Sequence, residues 1–350
     1  MRICIISNGI HRHTQIIADG LVERGHKVYL VYIERNDPFK PSYVKMISVS
    51  PPKRFSVYRR MIKLSRILKS LKDKVDVGIF VGYPMAHILL CSPDMWVKVL
   101  MPITHPPKFR GLRRAYYALY EKLIEKAIDR ADVIVNDSNY MAKVFSERYG
   151  KKSIVIPPPV DEKFKPDLSK KKDGLILNVA KFRPQRGQHK AIELFKKLNH
   201  AGINVKLVLH GIIREKAYFQ LITDLAKKVK GVHIVLHESD DKLINLYQSA
   251  TVFWWPITAP EAFGMPPAEA MSCGTPVIAF DQEPIREIID NGKSGFVANN
   301  ELEFIEYTTL ILTDKETREE MYEYCIEYAK RFSKKKVLDR WERLLSSFDN

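Results

Sequence analysis

The chain reads as an α/β protein made of two doubly wound, parallel-sheet domains of Rossmann-like type. Three observations predict this. Short apolar runs of strand length alternate with segments of helical period over most of the chain. A stretch rich in Pro, Lys and Asp (PPPVDEKFKPDLSKKKDG, 157–174) interrupts the alternation near the middle and has no apolar period of its own. The 350 residues also suit two cores of ~150 residues better than one. The expected division is residues 1–165, 166–328 and a C-terminal helical segment 329–350.

In the first half, RICIIS is a buried strand. TQIIADGLVERG follows as a helix, with Ile16, Ile17, Leu21 and Val22 at helical spacing and Gly25 as its stop. HKVYLVYI is the next buried strand, and a helix is expected from about Phe55 to Lys72. DVGIFVG and KVLMPIT read as strands, RAYYALYEKLIEKAI as a long helix, and ADVIVND and SIVIPP as closing strands. The pattern restarts with the strand GLILNVA and the helix GQHKAIELFKKLNHAG. Then come strand VKLVLHG, a helix to Val229, strand VHIVLHE, helix DDKLINLYQSA and strand VFWWP. A helix over PPAEAMSCG, the strand PVIAF and a further helix follow. From Lys315 onward the chain is expected to be helical to its end.

Composition narrows the class. Hydrophobic residues make up 45% and charged residues 28%, as in globular proteins. No apolar run approaches the ~20 residues that cross a bilayer, and MRICIISNGI does not have the charge and length pattern of a signal peptide. The four cysteines are far apart and form no CxxC pair, so a reducing cytoplasm is expected and a disulfide framework or zinc site is not. The formal net charge of +16 is unevenly placed. Residues 1–165 hold 30 Lys+Arg against 15 Asp+Glu, and the remainder holds 27 against 26. An anionic partner is therefore expected for the first half.

The segment EAFGMPPAEAMSCGTPVIA (261–279) is the most informative. It follows Trp254-Trp255-Pro256 at the end of a strand, where ligands bind in doubly wound sheets. Phe263-Gly264-Met265 opens a helix, whose free N–H groups suit phosphate oxygens. Glu261 and Glu269 could each accept hydrogen bonds from vicinal hydroxyls. Read by residues alone, a helix with ordinary first-turn acids fits as well. The segment resembles the E-x7-E signature of the retaining GT-B glycosyltransferases of family four, P-(4 or 5 residues)-E-x-F-G-x-x-x-x-E-A-M-A-x-G-x-P-V-I-A. It matches from Pro256 through Ala279, with Ala262 after the first Glu and Ser272 where Ala is common. The resemblance implies that Glu261 bonds the donor sugar and Glu269 the ribose of the nucleotide. The amides of Phe263, Gly264 and Met265 would hold the diphosphate.

VAKFRPQRGQHKAIELF resembles the same family's V-G-R-x5-K-G segment, allowing for loop length, since four residues separate Lys181 from Arg186 here. It implies that Lys181 and Arg186 neutralise the departing diphosphate, with the two basic types exchanged; growing negative charge on a leaving group needs fixed cations. NGIHRHTQIIADGLVERGHKV resembles the family's first-domain opening, with Gly9 approaching the donor phosphate and Asn8 in place of a first glycine. VKVLMPITHPPKFR places His105 on the family's active-site histidine, with Pro106 where Asp is usual. The resemblance spans about residues 2 to 345. It implies two domains facing a cleft, with the C-terminal helix packing back on the first domain.

The segment 53–74 (KRFSVYRRMIKLSRILKSLKDK) has nine Lys/Arg and one acid, with an apolar face that includes Tyr58, Met61, Ile62, Leu64, Leu68 and Leu71. A solvated basic face on a domain helix is one reading. Contact of Arg59, Arg60, Lys63 and Arg66 with an anionic membrane or acceptor is the other, and Arg113 and Arg114 add a second basic stretch after His105. Ser239-Asp240-Asp241 invites a metal reading, but a cap on the helix DKLINLYQSA explains it, and His11 with His13 lacks a third ligand. No metal or other cofactor is expected.

The expected function is therefore retaining transfer of a hexose-type sugar from a UDP- or GDP-sugar to a glycan or lipid-linked acceptor. The place is the cytoplasm, including the inner face of the membrane. A nucleic-acid-binding protein is the rival that the charge supports, but no binding motif is present and aromatic residues are not interleaved with the basic runs. An epimerase or phosphorylase of the same fold and an idle binding subunit are further rivals, which the E-x7-E segment and the intact Glu261, Glu269 and His105 oppose.

Overall fold

The computed structural model describes residues 1–33, 44–49, 57–103, 114–199 and 205–348; the side chains of residues 57–61, 84 and 114–120 are outside the description. The chain divides into two compact units, Met1–Pro159 with Lys334–Asn350, and Val160–Ser333. The division falls earlier than 165/166 because Val160 and Phe164 are core residues of the second unit, where the Val160 N–H donates to the Phe332 carbonyl at 2.9 Å.

In the first unit the order is β1 (Arg2–Ser7), α1 (Arg12–Glu23), β2 (Lys27–Ile33), β3 (Lys45–Val49), α2 (Val57–Ser70), β4 (Val77–Val81), α3 (Tyr83–Leu89) and β5 (Val97–Met101). Then come α4 (Arg114–Asp129), β6 (Val133–Asn136), α5 (Asn139–Tyr149) and β7 (Ile154–Val155). The strands form one parallel sheet in the order β3-β2-β1-β4-β5-β6-β7. β1 and β4 are buried on both faces, as a sheet covered by helices on both sides requires. β3 and α3 were absent from the sequence reading: KMISV is only partly buried and lacks a clean apolar run, and YPMAHIL is short for a periodic signal.

The second unit contains β8 (Leu175–Val179), α6 (Gln188–Asn199), β9 (Lys206–Gly211), α7 (Lys216–Lys227), β10 (Val232–Leu236), α8 (Asp240–Ser249) and β11 (Val252–Trp255). It continues with α9 (Met265–Ser272), β12 (Val277–Phe280), α10 (Ile285–Ile288), β13 (Gly295–Ala298), α11 (Glu301–Thr313) and α12 (Lys315–Ala329). Its sheet is parallel, in the order β10-β9-β8-β11-β12-β13. The order reverses between β8 and β11. Connections from these two neighbours run to opposite sides and leave a crevice at their carboxyl ends.

The expected unbroken terminal helix is interrupted. A short turn at Lys330–Phe332 ends α12, and α13 (Lys334–Ser346) restarts after Ser333 and belongs to the first unit. Val337, Leu338, Trp341, Leu344 and Leu345 are buried in that unit's core, each such side chain contributing roughly 1.5–3 kcal/mol. Gly20 of α1 makes room for Leu338: a Cβ there would stand 2.2 Å from its Cδ1. Arg24–Asp339 and Lys334–Glu23 ion pairs, both at 2.6 Å, fix the register at the rim. Among the described residues, no helix is long and apolar enough to cross a membrane.

Candidate functional site

The β8–β11 crevice of the second unit gathers most of the expected donor residues. Lys181 and Arg186 follow β8, and Glu261, Gly264 and Glu269 follow β11. The loop after β8 makes a 3-10 turn over Pro184–Arg186 and ends at Gly187, in the left-handed region at φ +71°. Gln188 is fully buried, and its amide donates to the carbonyls of Ala180 and Lys181 at 3.3 and 3.1 Å, tying the two ends of the loop. A Cβ on Gly187 would sit 2.4 Å from the Pro256 carbonyl oxygen, so the loop lies directly against the chain leaving β11.

This close approach brings Arg186 to Glu261. Nη1 and Oε1 are 2.6 Å apart, with side chains 14% and 23% exposed, and the guanidinium stands 6.0 Å from the Trp255 ring. The Glu261 N–H donates to the Glu283 carbonyl at 3.0 Å, which pins the acid from its backbone. A cation expected for phosphate and an acid expected for sugar thus hold each other. Lys181 remains accessible. Its pKa lies below the ordinary lysine value, first because the ammonium is partly desolvated, then because Arg214, Arg186 and Arg183 repel it, while Glu261 acts the other way.

Gly264 caps α9 in the left-handed region (φ +104°), which strains any side chain with a Cβ. The next positions are Met265, Pro266 and Pro267. The two prolines have no N–H, so the donors at this helix start are Gly264 and Met265, with Phe263 just before. Among the described residues the amides of these three make no hydrogen bond. The Phe263 ring is 6% exposed and meets Phe332 edge-on at 5.4 Å, so it anchors the turn.

Glu269 is 8% exposed on α9 and accepts a hydrogen bond from the Tyr247 hydroxyl at 3.0 Å. Tyr247, buried on α8, is itself held by Phe164 and Phe253, and its carbonyl accepts from Thr275 Oγ1 at 2.7 Å. The sequence reading missed Tyr247, because an apolar-face tyrosine at helical spacing looks like core until its hydroxyl partner is seen. His210 lies at the end of β9. It is 2% exposed, both ring nitrogens lack a hydrogen-bond partner among the described residues, and burial, then His237, push its pKa down to about 4. The imidazole is neutral at pH 7.

Other expected residues are not gathered here. Gly9 follows β1 in the first unit, at φ +93°. His105 and Arg113 lie outside the described residues, as do the side chains of Arg59, Arg60 and Arg114. Lys63 and Arg66 are exposed on α2, next to Ile62 at 54% exposure. Ser239 caps α8, its hydroxyl accepting from the Lys242 N–H at 3.3 Å, so the Ser-Asp-Asp run serves the helix start.

Two parallel, doubly wound units, the second with an Arg186–Glu261 pair at its switch point, define a protein of the GT-B class. Residues 159–332 match the model of glycosyl transferases group 1, and residues 7–164 match that of glycosyltransferase family 4. The chain belongs to the group 1 glycosyltransferases. It is 25% identical over 267 residues to the GDP-Man:Man(3)GlcNAc(2)-PP-Dol alpha-1,2-mannosyltransferase of Dictyostelium discoideum, covering 69% of this chain and 53% of that one. It is 32% identical over 209 residues to a probable sucrose-phosphate synthase of Thermosipho melanesiensis, covering 57% and 47%. The match thus spans about half the length of these relatives. Anabaena HepE in complex with UDP and glucose has the same fold, with a TM-score of 0.80 at 15% identity over 99% of this chain and 100% of that one.

Proposed function

We propose that the protein transfers a hexose-type sugar from a UDP- or GDP-sugar to a glycan or lipid-linked acceptor, with retention of anomeric configuration. The observation that carries this reading is the Arg186–Glu261 pair at 2.6 Å, set beside the Gly264 turn at the switch point. In this reading Glu261 accepts hydrogen bonds from the donor sugar, and Arg186 turns to the phosphate when donor arrives. The amides of Gly264 and Met265, with Lys181, hold the diphosphate. Glu269, oriented by Tyr247, takes the ribose hydroxyls. The acceptor hydroxyl attacks from the face that the diphosphate leaves, and a phosphate oxygen receives its proton. Lys181 and Arg186 supply the fixed charge, so no metal is required.

Thermal-shift screening with UDP, GDP and their hexose derivatives tests the donor class. One base series is expected to raise Tm, and the sugar nucleotide that does so should be hydrolysed or transferred in EDTA, with the product anomer read by NMR. The reading is lost if no nucleoside diphosphate shifts Tm at millimolar concentration.

For the acceptor, the exposed Ile62, Lys63 and Arg66 on α2 favour a lipid-linked molecule at an anionic surface. Vesicles containing anionic lipid are expected to sediment the protein at low salt and release it at high salt. Equal sedimentation with neutral vesicles, or none with either, would remove the membrane from the proposal.

A further inference from the structure

The crevice carries more positive charge than the family resemblance assigns. The chain segments that follow β8 and β9 are zipped together. Phe182 and Ile213 form a parallel bridge, the Phe182 N–H donates to the Ile212 carbonyl at 2.9 Å, and the Glu215 N–H donates to the Phe182 carbonyl at 3.2 Å. Gly211 permits this approach, since a Cβ there would stand 1.9 Å from the Ala180 carbonyl oxygen. Phe182 is fully buried. Neighbours in extended chain point to opposite sides, so Lys181 and Arg183 share the face away from the core. Arg183 continues the extended conformation at φ −161°, ψ 153°. Arg214 follows Ile213, its N–H donates to the Phe182 carbonyl at 3.4 Å, and its charge reaches Lys181.

Four cations therefore surround the loop: Lys181, Arg183, Arg186 and Arg214. Arg186 has Glu261 as its partner. Arg183 Nε is buried and has no hydrogen-bond partner among the described residues. The Lys181 ammonium feels the other three as repulsion, with Glu261 alone acting in the opposite sense among its main influences. Holding like charges together costs free energy in the empty protein, and an anion that arrives or grows there relieves it.

We propose that Arg183 and Arg214 act on the departing diphosphate, completing a four-cation cradle matched to the cleaved nucleotide more closely than to the intact donor. This rests on the donor reading above. When the bond between the anomeric carbon and the β-phosphate oxygen breaks, its electron pair stays on that oxygen. The acceptor oxygen bonds to the anomeric carbon, and its proton passes to the phosphate and on to solvent. The released nucleoside diphosphate then carries one more negative charge than the sugar nucleotide did. The four cations exceed Glu261 by three charges, and the surplus beyond Lys181 and Arg186 is what meets that added charge. Interactions that strengthen as charge develops raise turnover, whereas uniform ones only tighten substrate binding.

The test compares Arg183→Ala and Arg214→Ala with the parent protein by calorimetric titration of UDP, GDP, UDP-glucose and GDP-mannose. Each variant is expected to bind the free diphosphate about tenfold more weakly and the intact sugar nucleotide no more than about threefold more weakly. Turnover should fall with little change in KM, and Arg183→Lys should restore part of the loss. Equal weakening of both ligands, or none, in variants with unchanged Tm would overturn the proposal. If Arg183→Ala lowers Tm, the exposed Arg214 decides it alone. A parent protein that binds neither diphosphate would sink the donor reading itself, an outcome distinct from failure of the variants.

Discussion

Glu261→Gln is expected to reduce sugar transfer about a hundredfold or more while the fold persists. The carboxylate sits 2.6 Å from Arg186, and its backbone is pinned to Glu283, so the position is set before any donor binds. A carboxylate can accept strong bonds from two hydroxyls at once. The amide keeps the shape but loses the charge and one acceptor. A charge-assisted hydrogen bond is worth ~1.5–3 kcal/mol, and each ~1.4 kcal/mol is tenfold in rate. The pair with Arg186 is lost as well, at a stability cost of about 1 kcal/mol for a partly exposed ion pair. Initial-rate assays beside a melting curve separate the two effects. Full activity in a folded Glu261→Gln protein would remove Glu261 from the site.

Gly187→Ala should damage both stability and activity although the residue touches no expected ligand. Its φ of +71° costs an L-residue roughly 1–2 kcal/mol. The new methyl would stand 2.4 Å from the Pro256 carbonyl oxygen, a backbone atom that cannot swing aside. The loop after β8 must therefore retreat, and Arg186 retreats from Glu261 with it. A Tm lower by roughly 5–10 °C is expected from a loss of a few kcal/mol, with transfer falling by more than the folded fraction does. Calorimetry and the same rate assay would show this; an unchanged Tm would mean that the β8 and β11 loops are not packed as described.

Strand and helix alternation was legible because buried parallel strands are continuous apolar runs: RICIIS, HKVYLVYI, GLILNVA, VKLVLHG and VFWWP became β1, β2, β8, β9 and β11 with no end shifted by more than one residue. Elements without such a run escaped notice. KMISV is only partly buried, and GFVA is a four-residue strand at the sheet edge beside β12. The break at Lys330–Phe332 was equally hidden, since a turn without Gly or Pro leaves the helical composition intact.

The sequence by itself determined which segments resemble the family's donor motifs, and the resemblance, not spacing alone, implies the roles of the two acids, the Gly264 turn and the two basic positions. What only the tertiary structure decided is which of them meet. Arg186 and Glu261 are far apart along the chain and join because β8 and β11 are neighbours at the switch point. Tyr247 became Glu269's partner only when α8 was laid beside α9. Arg183 and Arg214 come near Lys181 only because the segments after β8 and β9 are zipped by the Phe182–Ile213 bridge. Local patterns record which faces are buried; pairing across a sheet is set by strand order, which no single segment encodes.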